Sequence, residues 1–351
     1  MTISGDFGKR LAQARKMCGL SLRALSHKMR GIVSYAALHK YETGKAIPGS
    51  PVLIALAEAL DQNIDFFFRP LTVSLEKIEF RKRSALGAKE EEAIRQQATD
   101  FFERYLELEN ILSLESRFEN PLKGWKVMGS ADIESAALQL REAWKLGNDP
   151  LPNLLELLED RHFKIYELDA GQEFDGLSGW AGEIPVIVLN RQMPNVRKRL
   201  TALHEVAHLL LDFPKDWEPK TVEPLCHQFG GAMLMPEPVF RAEFGGKRGR
   251  VTLNELVDIK ANYGISIGAI MTRARNLGLI TENHYRDFWI QYRKRNWHLD
   301  EPGEYAGQEK SNRFHQLLHR AAAEEWITLS KAAALAGQPL ADFRASFEFA
   351  A

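Results

Sequence analysis

Apolar positions in the first sixty or so residues recur at helical spacing in short clusters, broken by single glycines. The run "FGKRLAQARKMCGLSLRALSHKMRGIVSYAALHKYETGKAIPGSPVLIALAEALDQNIDFFF" predicts helices over 7–17, 21–29, 34–41 and 51–60 and a last turn near Asp65. Gly19, Gly31 and Gly44 punctuate them, with Ser21 and Ser34 as N-cap candidates. Farther on, Ile94, Ala98, Phe101, Phe102, Tyr105, Leu108 and Leu112 form an apolar stripe along one long helix. Such a stripe suits a bridging or dimer-forming helix and suits packing on its own domain equally well. The basic cluster Arg81 to Arg83 precedes it, and Glu90 to Glu92 suit a solvated first turn near the helix dipole. Next come a helix in "ADIESAALQLREAWKLG", another over Asn153–Glu159, and a strand over Phe163–Glu167. A Gly-rich turn in "FDGLSGWAGE" then leads to a second strand, Pro185–Leu189, ended by Asn190.

The N-terminal layout fits a compact five-helix helix-turn-helix domain whose third helix enters the major groove. That helix presents Ser34, Tyr35, Ala36, His39 and Lys40 outward and turns Val33, Ala37, Leu38 and Tyr41 inward. Charge sharpens this picture. The 351 residues carry a formal net charge of only −1, yet residues 1–50 hold nine Lys/Arg against Asp6 and Glu42. A basic block on a neutral chain points to a polyanion partner, with Arg10, Arg23 and Lys45 as phosphate contacts. The N-terminus lacks the apolar core of a signal peptide, and no apolar run approaches membrane-span length, so a cytoplasmic protein with no membrane partner is expected. The only cysteines, Cys18 and Cys226, fall in segments read as separate domains. A disulfide framework is therefore excluded, Cys226 reads as a small buried residue, and any metal must rest on His and Glu.

One stretch carries chemistry of its own. "RLTALHEVAHLLLDF" (199–213) sets His204 and His208 four residues apart, so on a helix they project together, within one metal's reach. Glu205 lies beside the first of them, where its carboxylate can take a proton from a water on the metal and pass it to a leaving amine. With 10 His in the chain, an accidental HExxH is expected about 0.02 times. The leucines around it make a buried helix in which these polar groups would be costly without a partner. A third ligand is sought downstream, in "KTVEPLCHQFGGAMLMPEPVF". It offers Glu223 and, one turn on, His227, on a second helix ending at Pro236; Glu223 is preferred. Three protein ligands to Zn2+ leave a fourth position for water, as a hydrolase requires. Two strands ahead of an HExxH helix suggest an α+β catalytic module, in which the strand Pro185–Leu189 is expected to offer its edge to an extended substrate.

Two family resemblances rest on these residues. "RLAQAR", "GLSLRALS", "ALHKYETGKAIP" and "LIALAEAL" followed by "IDFFF", over 7–68, resemble the Cro/repressor-type (XRE) helix-turn-helix family, with Leu22 standing where that family usually has glutamine. "DGLSGW", "IPVIVLN", "RLTALHEVAHLLLD" and "ExxCHQFGGAMLMP" resemble the ImmA/IrrE family of zinc metallopeptidase-like proteins. This second resemblance implies zinc on His204, His208 and Glu223 and Glu205 as general base. Cys226 and His227 replace the family's usual Ala-Asn pair, which makes His227 a transition-state donor, an alternative ligand or an outer-shell group. "VTLNELVDIKANYGISIGAIMTRARNLGLIT" (251–281) resembles the family's helical segment, with helix-turn-helix character, a Ser266 cap and Arg273 and Arg275 outward. "AAAEEWITLSKAAALAGQPLADFR" matches the closing helices of its long members. "YRKRNWHL" (292–299) is read as a solvated helix end.

The expected fold is a mainly α helix-turn-helix domain followed by an α+β zincin-like domain with a helical C-terminal extension. Its segments are 1–70 (DNA-binding), 71–124 (bridging helix, possible dimerisation), 125–245 (metallopeptidase-like core) and 246–351 (helical region). The expected function is a DNA-binding regulator, dimeric on an operator, whose peptidase domain cleaves a partner regulator or its own chain on a signal, with a regulator or toxin as protein partner. The resemblance implies stress, mobile-element or toxin-antitoxin control. The rival is a non-proteolytic transcription factor that keeps the zincin-like fold as a sensor or dimerisation scaffold. Retention of Glu205 weighs against that rival, since a structural site needs ligands but no base.

Overall fold

The computed structural model describes residues 3–69, 87–114 and 117–347; the cluster Arg81 to Arg83 lies outside them. The described parts of 1–116, 180–184 and 312–351 form one compact unit, and those of 117–179 and 185–311 a second.

In the first unit, α1 (Ile3–Met17), α2 (Leu22–Lys28), α3 (Tyr35–Glu42) and α4 (Ser50–Leu60) precede a 3-10 turn over Ile64–Phe68. The order is the expected one, with α1 starting earlier than predicted. Ser21 and Ser34 cap α2 and α3, their hydroxyls accepting the N–H groups of Ala24 and Ala37. Phe7, Leu11, Leu25, Leu38, Leu56, Leu60 and Phe67 fill the centre. α1 crosses α3 at Gly8, where a Cβ would lie 2.5 Å from the carbonyl oxygen of Glu42. Arg15 reinforces the crossing, donating to both Glu42 carboxylate oxygens at 2.6 and 3.0 Å. The long helix α5 (Ala88–Ile111) buries Ile94, Ala98, Phe101, Phe102, Tyr105 and Leu108 within this unit, so its stripe serves local packing. Its buried carboxylates Asp100 and Glu103 answer arginines. Arg69 and Arg104 draw the Asp100 carboxyl below the ordinary range against the effect of its burial, while burial pushes Glu103 up despite Arg10.

The second unit contains α6 (Ser130–Ala143), α7 (Leu154–Asp160), β1 (Lys164–Leu168), most of β2 (Gly176–Ala181) and of β3 (Ile184–Asn190), whose residues 180–184 fall in the first unit, and α8 (Asn195–Leu210). It continues through α9 (Pro219–Leu234), α10 (Glu237–Phe244), α11 (Leu253–Tyr263), α12 (Ile267–Asn276) and α13 (Glu282–Lys294). The sheet order is β1-β3-β2, with β3 parallel to β1 from Lys164 opposite Val186 to Leu168 opposite Asn190. Two expectations are corrected here. Residues 176–181, read as part of a Gly-rich turn, are a strand. Two glycines lower strand propensity, yet Gly176 fits because a Cβ there would come within 3.0 Å of the Val188 carbonyl oxygen. And β3 is the central strand, so the segment Pro185–Leu189 has no edge to offer an extended substrate.

Charged groups bind the surface of α8 remote from its histidines. The buried Lys198 pairs with Glu167 at 2.6 Å, and Arg199 with Glu309, whose carboxylate also accepts the N–H groups of Leu154 and Leu155 at the start of α7. Burial pushes the Glu309 carboxyl up against the pull of Arg199. Ser266 caps α12 as expected, but Arg273, expected outward, is 3% exposed and makes two 2.9 Å bonds to Glu134. Arg275 is exposed. α12 buries Ile267, Ile270, Met271 and Ala274, a helix for packing. The last helices, α14 (Arg313–Ala323), α15 (Leu329–Ala336) and α16 (Leu340–Ser346), belong to the first unit. There the ring of Phe314 lies 5.0 Å from Phe101 and 5.3 Å from Tyr105. In this division 246–311 goes with the HExxH helix and 312–347 with the N-terminal helices.

Candidate functional site

His204 and His208 stand one turn apart on α8, and Glu223 faces them from α9. The two Nε2 atoms are 3.0 Å apart. The carboxylate spans them, with Oε2 3.1 Å from His204 and Oε1 3.3 Å from His208. Four donors held tetrahedrally at roughly 2.0–2.2 Å from a zinc-sized ion are separated by about 3.3–3.6 Å, so this triangle needs only slight opening to hold one. Two imidazole nitrogens and one carboxylate oxygen are also the donor set that such an ion prefers. Among the described residues these three form the group of His, Cys, Asp and Glu able to share a metal. Both histidines are buried, and Glu223 is partly exposed.

The two helices are fixed by groups outside the triangle. α8 and α9 approach closely at Gly230, where a Cβ would be 3.0 Å from Leu200 Cδ1 and 3.2 Å from its carbonyl oxygen. At the end of α9, where carbonyls lack helical partners, Arg141 donates to Met233 O at 2.6 Å and Arg273 to Met235 O at 2.7 Å. Gln228 adds bonds to Ser130 and Glu134 on α6. Buried arginines thus hold the helix that delivers Glu223.

Around the triangle lie three further groups. Glu205 is 3% exposed, and its Oε2 accepts from the Ser178 hydroxyl on β2 at 2.7 Å. Sequence reasoning missed Ser178: the signal was present in "DGLSGW", but reading it as a turn concealed the strand that aims the hydroxyl. Cys226 is fully buried, as expected, and its Sγ lies 3.6 Å from His208 Nδ1. His227 is exposed, with its ring centroid 4.2 Å from that of His204 at a 46° tilt. It stands beside His204 but outside the converging three.

On α3, Ser34, Tyr35, Ala36, His39 and Lys40 are all exposed, while Val33 and Leu38 are buried and Ala37 and Tyr41 half-buried. Arg23 and Lys45 are exposed as well, and the Arg23 guanidinium stacks 5.7 Å over the Tyr35 ring. Arg10 corrects an expectation. Proposed from its charge as a phosphate contact, it is 0% exposed and donates to Glu103, to Gln13 and to the carbonyl of Arg69. Its position on the inner face of α1 sets it against α5, away from any ligand. The α3 surface is thus a basic and aromatic strip with hydroxyl and imidazole groups, chemically suited to phosphates and base edges.

No helix among the described residues is long and apolar enough to cross a membrane. No curated protein matches the chain. Residues 11–67 match the helix-turn-helix family model, and residues 158–275, which contain the whole of the sheet and the helices that carry His204, His208 and Glu223, match the model of the IrrE N-terminal-like domain of a peptidase family. The chain thus carries a Cro/repressor-type helix-turn-helix domain over 11–67, of the kind used in DNA-binding regulation, and an IrrE N-terminal-like, metallopeptidase-like domain over 158–275.

Proposed function

We propose that this protein is a DNA-binding transcriptional regulator with a zinc-dependent endopeptidase activity directed at a partner regulator, a toxin or its own chain in response to a signal. The observation that carries the peptidase half is the convergence of His204, His208 and Glu223 with Glu205 held beside them by Ser178. When bound by the three donors, zinc supplies Lewis-acid activation of a water and of the scissile carbonyl. Glu205 takes the proton of the attacking water and returns it to the leaving amine. The Ser178 hydroxyl fixes one oxygen of that carboxylate, and the exposed imidazole of His227 donates to the developing oxyanion. In the other half, α3 enters the major groove with Tyr35, Ala36, His39 and Lys40 at base edges and with Ser34, Arg23 and Lys45 at the backbone, as one half of a homodimer.

Metal analysis tests the site: purified wild type holds one zinc per chain, and a His204→Ala, His208→Ala double variant holds none. Zinc retained by the double variant would refute the ligand assignment. Glu205→Gln is expected to keep zinc and lose peptide cleavage by at least about 10²–10⁴-fold, the usual contribution of a general base. If that variant supports every regulatory effect of the wild type, proteolysis is not the function and a sensor or scaffold role replaces it. Replacing Tyr35 and Lys40 abolishes operator protection; an unchanged footprint would overturn the placement of α3.

A further inference from the structure

We infer that Cys226 is a positioning residue for the metal centre: the Nδ1–H of His208 donates to the Cys226 sulfur, which fixes the ring with Nε2 toward the metal. This rests on the zinc reading given above. The two nitrogens of His208 face opposite partners. Nε2 is 3.0 Å from His204 Nε2 and 3.3 Å from Glu223 Oε1, whereas Nδ1 is 3.6 Å from Cys226 Sγ. An imidazole that gives one nitrogen's lone pair to a metal carries its proton on the other, and a buried N–H is costly without an acceptor. Metal-bound histidines meet this need with an outer acceptor that also sets ring orientation. Here the nitrogen and sulfur are both buried, with His208 9% and Cys226 0% exposed, and sulfur is a long but competent acceptor.

The sequence spacing explains how one helix does both jobs. Cys226 follows Glu223 by three residues on α9, so both side chains project from the same face, about one turn apart. α9 thereby grips the His208 ring at both edges, a carboxylate at Nε2 and a sulfur at Nδ1. The ring of His204, the other imidazole of the triangle, has that of His227 beside it, the centroids 4.2 Å apart at a 46° tilt. The packing role first assigned to Cys226 and this one differ in a testable way, because a small apolar residue satisfies the first and not the second.

The test compares full-length wild type, Cys226→Ala and Cys226→Ser by competition for zinc against a chromogenic chelator and by the visible spectrum of the cobalt-substituted proteins. Cys226→Ala is expected to bind zinc about tenfold more weakly, the lower end of the range for loss of an outer-shell partner, and to shift the cobalt bands. Cys226→Ser keeps an acceptor and is expected to recover most of the affinity. Serine is no better an apolar filler than alanine, so its rescue cannot come from packing. In the zinc-loaded wild type the His208 Nδ1 proton exchanges slowly with water, a readout that needs no variant to fold. Wild-type affinity and spectrum in Cys226→Ala, or fast exchange of that proton in the wild type, would overturn the inference while leaving the zinc site in place. Failure of the wild type itself to bind zinc would overturn the metal-site reading and this inference with it.

Discussion

Single side chains in this protein change meaning with what they face. Ser178 and Arg10 look unremarkable in sequence, one in a glycine-rich stretch and the other in a basic block. Folded, Ser178 aims its hydroxyl at Glu205 and Arg10 sits sealed against Glu103. Ser178→Ala removes a buried bond to a carboxylate, and a loss of about 1–3 kcal/mol is expected. Urea denaturation measures it, with zinc content unchanged because Ser178 touches no proposed ligand; an unaltered midpoint would mean that Glu205 is held by other groups. Arg10→Ala leaves Glu103, itself 3% exposed, as a buried carboxylate with part of its pairing gone. The expected cost is about 3–5 kcal/mol, read as a lowered melting temperature. A variant that melts like the wild type but binds DNA with weaker salt dependence would restore the phosphate role.

At the scale of elements, close approach of helices does what individual polar contacts cannot. α1 meets α3 through Gly8, and α8 meets α9 near Gly230. Gly8→Ala puts a methyl against the backbone oxygens of Tyr41 and Glu42 at 2.6 and 2.5 Å, distances that only movement of a helix relieves. Destabilisation of about 1–3 kcal/mol is expected from such overpacking, and a helix-turn-helix unit unfolding at wild-type denaturant concentration would contradict the crossing. The approach of α9 to α8 brings Glu223 to the two histidines, and the arginines at the end of α9 keep it there. Arg273→Met should accordingly weaken zinc retention without touching a ligand. Equilibrium dialysis against zinc checks this, and unchanged retention would show that Arg141 and Gln228 suffice.

For the molecule as a whole, the basic N-terminal surface and the cluster of His204, His208 and Glu223 occupy different compact units. DNA binding should fall steeply with salt, as counterion release requires, and Lys45→Ala should lower the slope of log K against log salt by about 1. Equal slopes would remove Lys45 from the backbone contacts. A homodimer should protect two half-sites about 34–36 Å apart, one helical turn or a multiple of it. Protection of a single half-site at saturating protein would instead describe a monomer.

The amino-acid sequence by itself determined what depends on local periodicity and residue chemistry. The helices of the first unit, the Ser21 and Ser34 caps, the outward set on α3 and the pairing of His204 with His208 all follow from spacing along one chain segment. Glu223 was readable as a candidate because the segment after the HExxH helix offers a carboxylate there, while its convergence on the two histidines comes from the packing of α9 on α8. Tertiary structure alone decided what depends on neighbours distant in sequence. β2 is a strand because β3 lies beside it, overriding the weak propensity of its glycines. Arg10 and Arg273 are interior because Glu103 and Glu134 wait for them across other helices. The closing helices join the first unit because Phe314 finds Phe101 and Tyr105 there. A side chain's charge or polarity states what it can do, and the three-dimensional packing decides which partner it does it with.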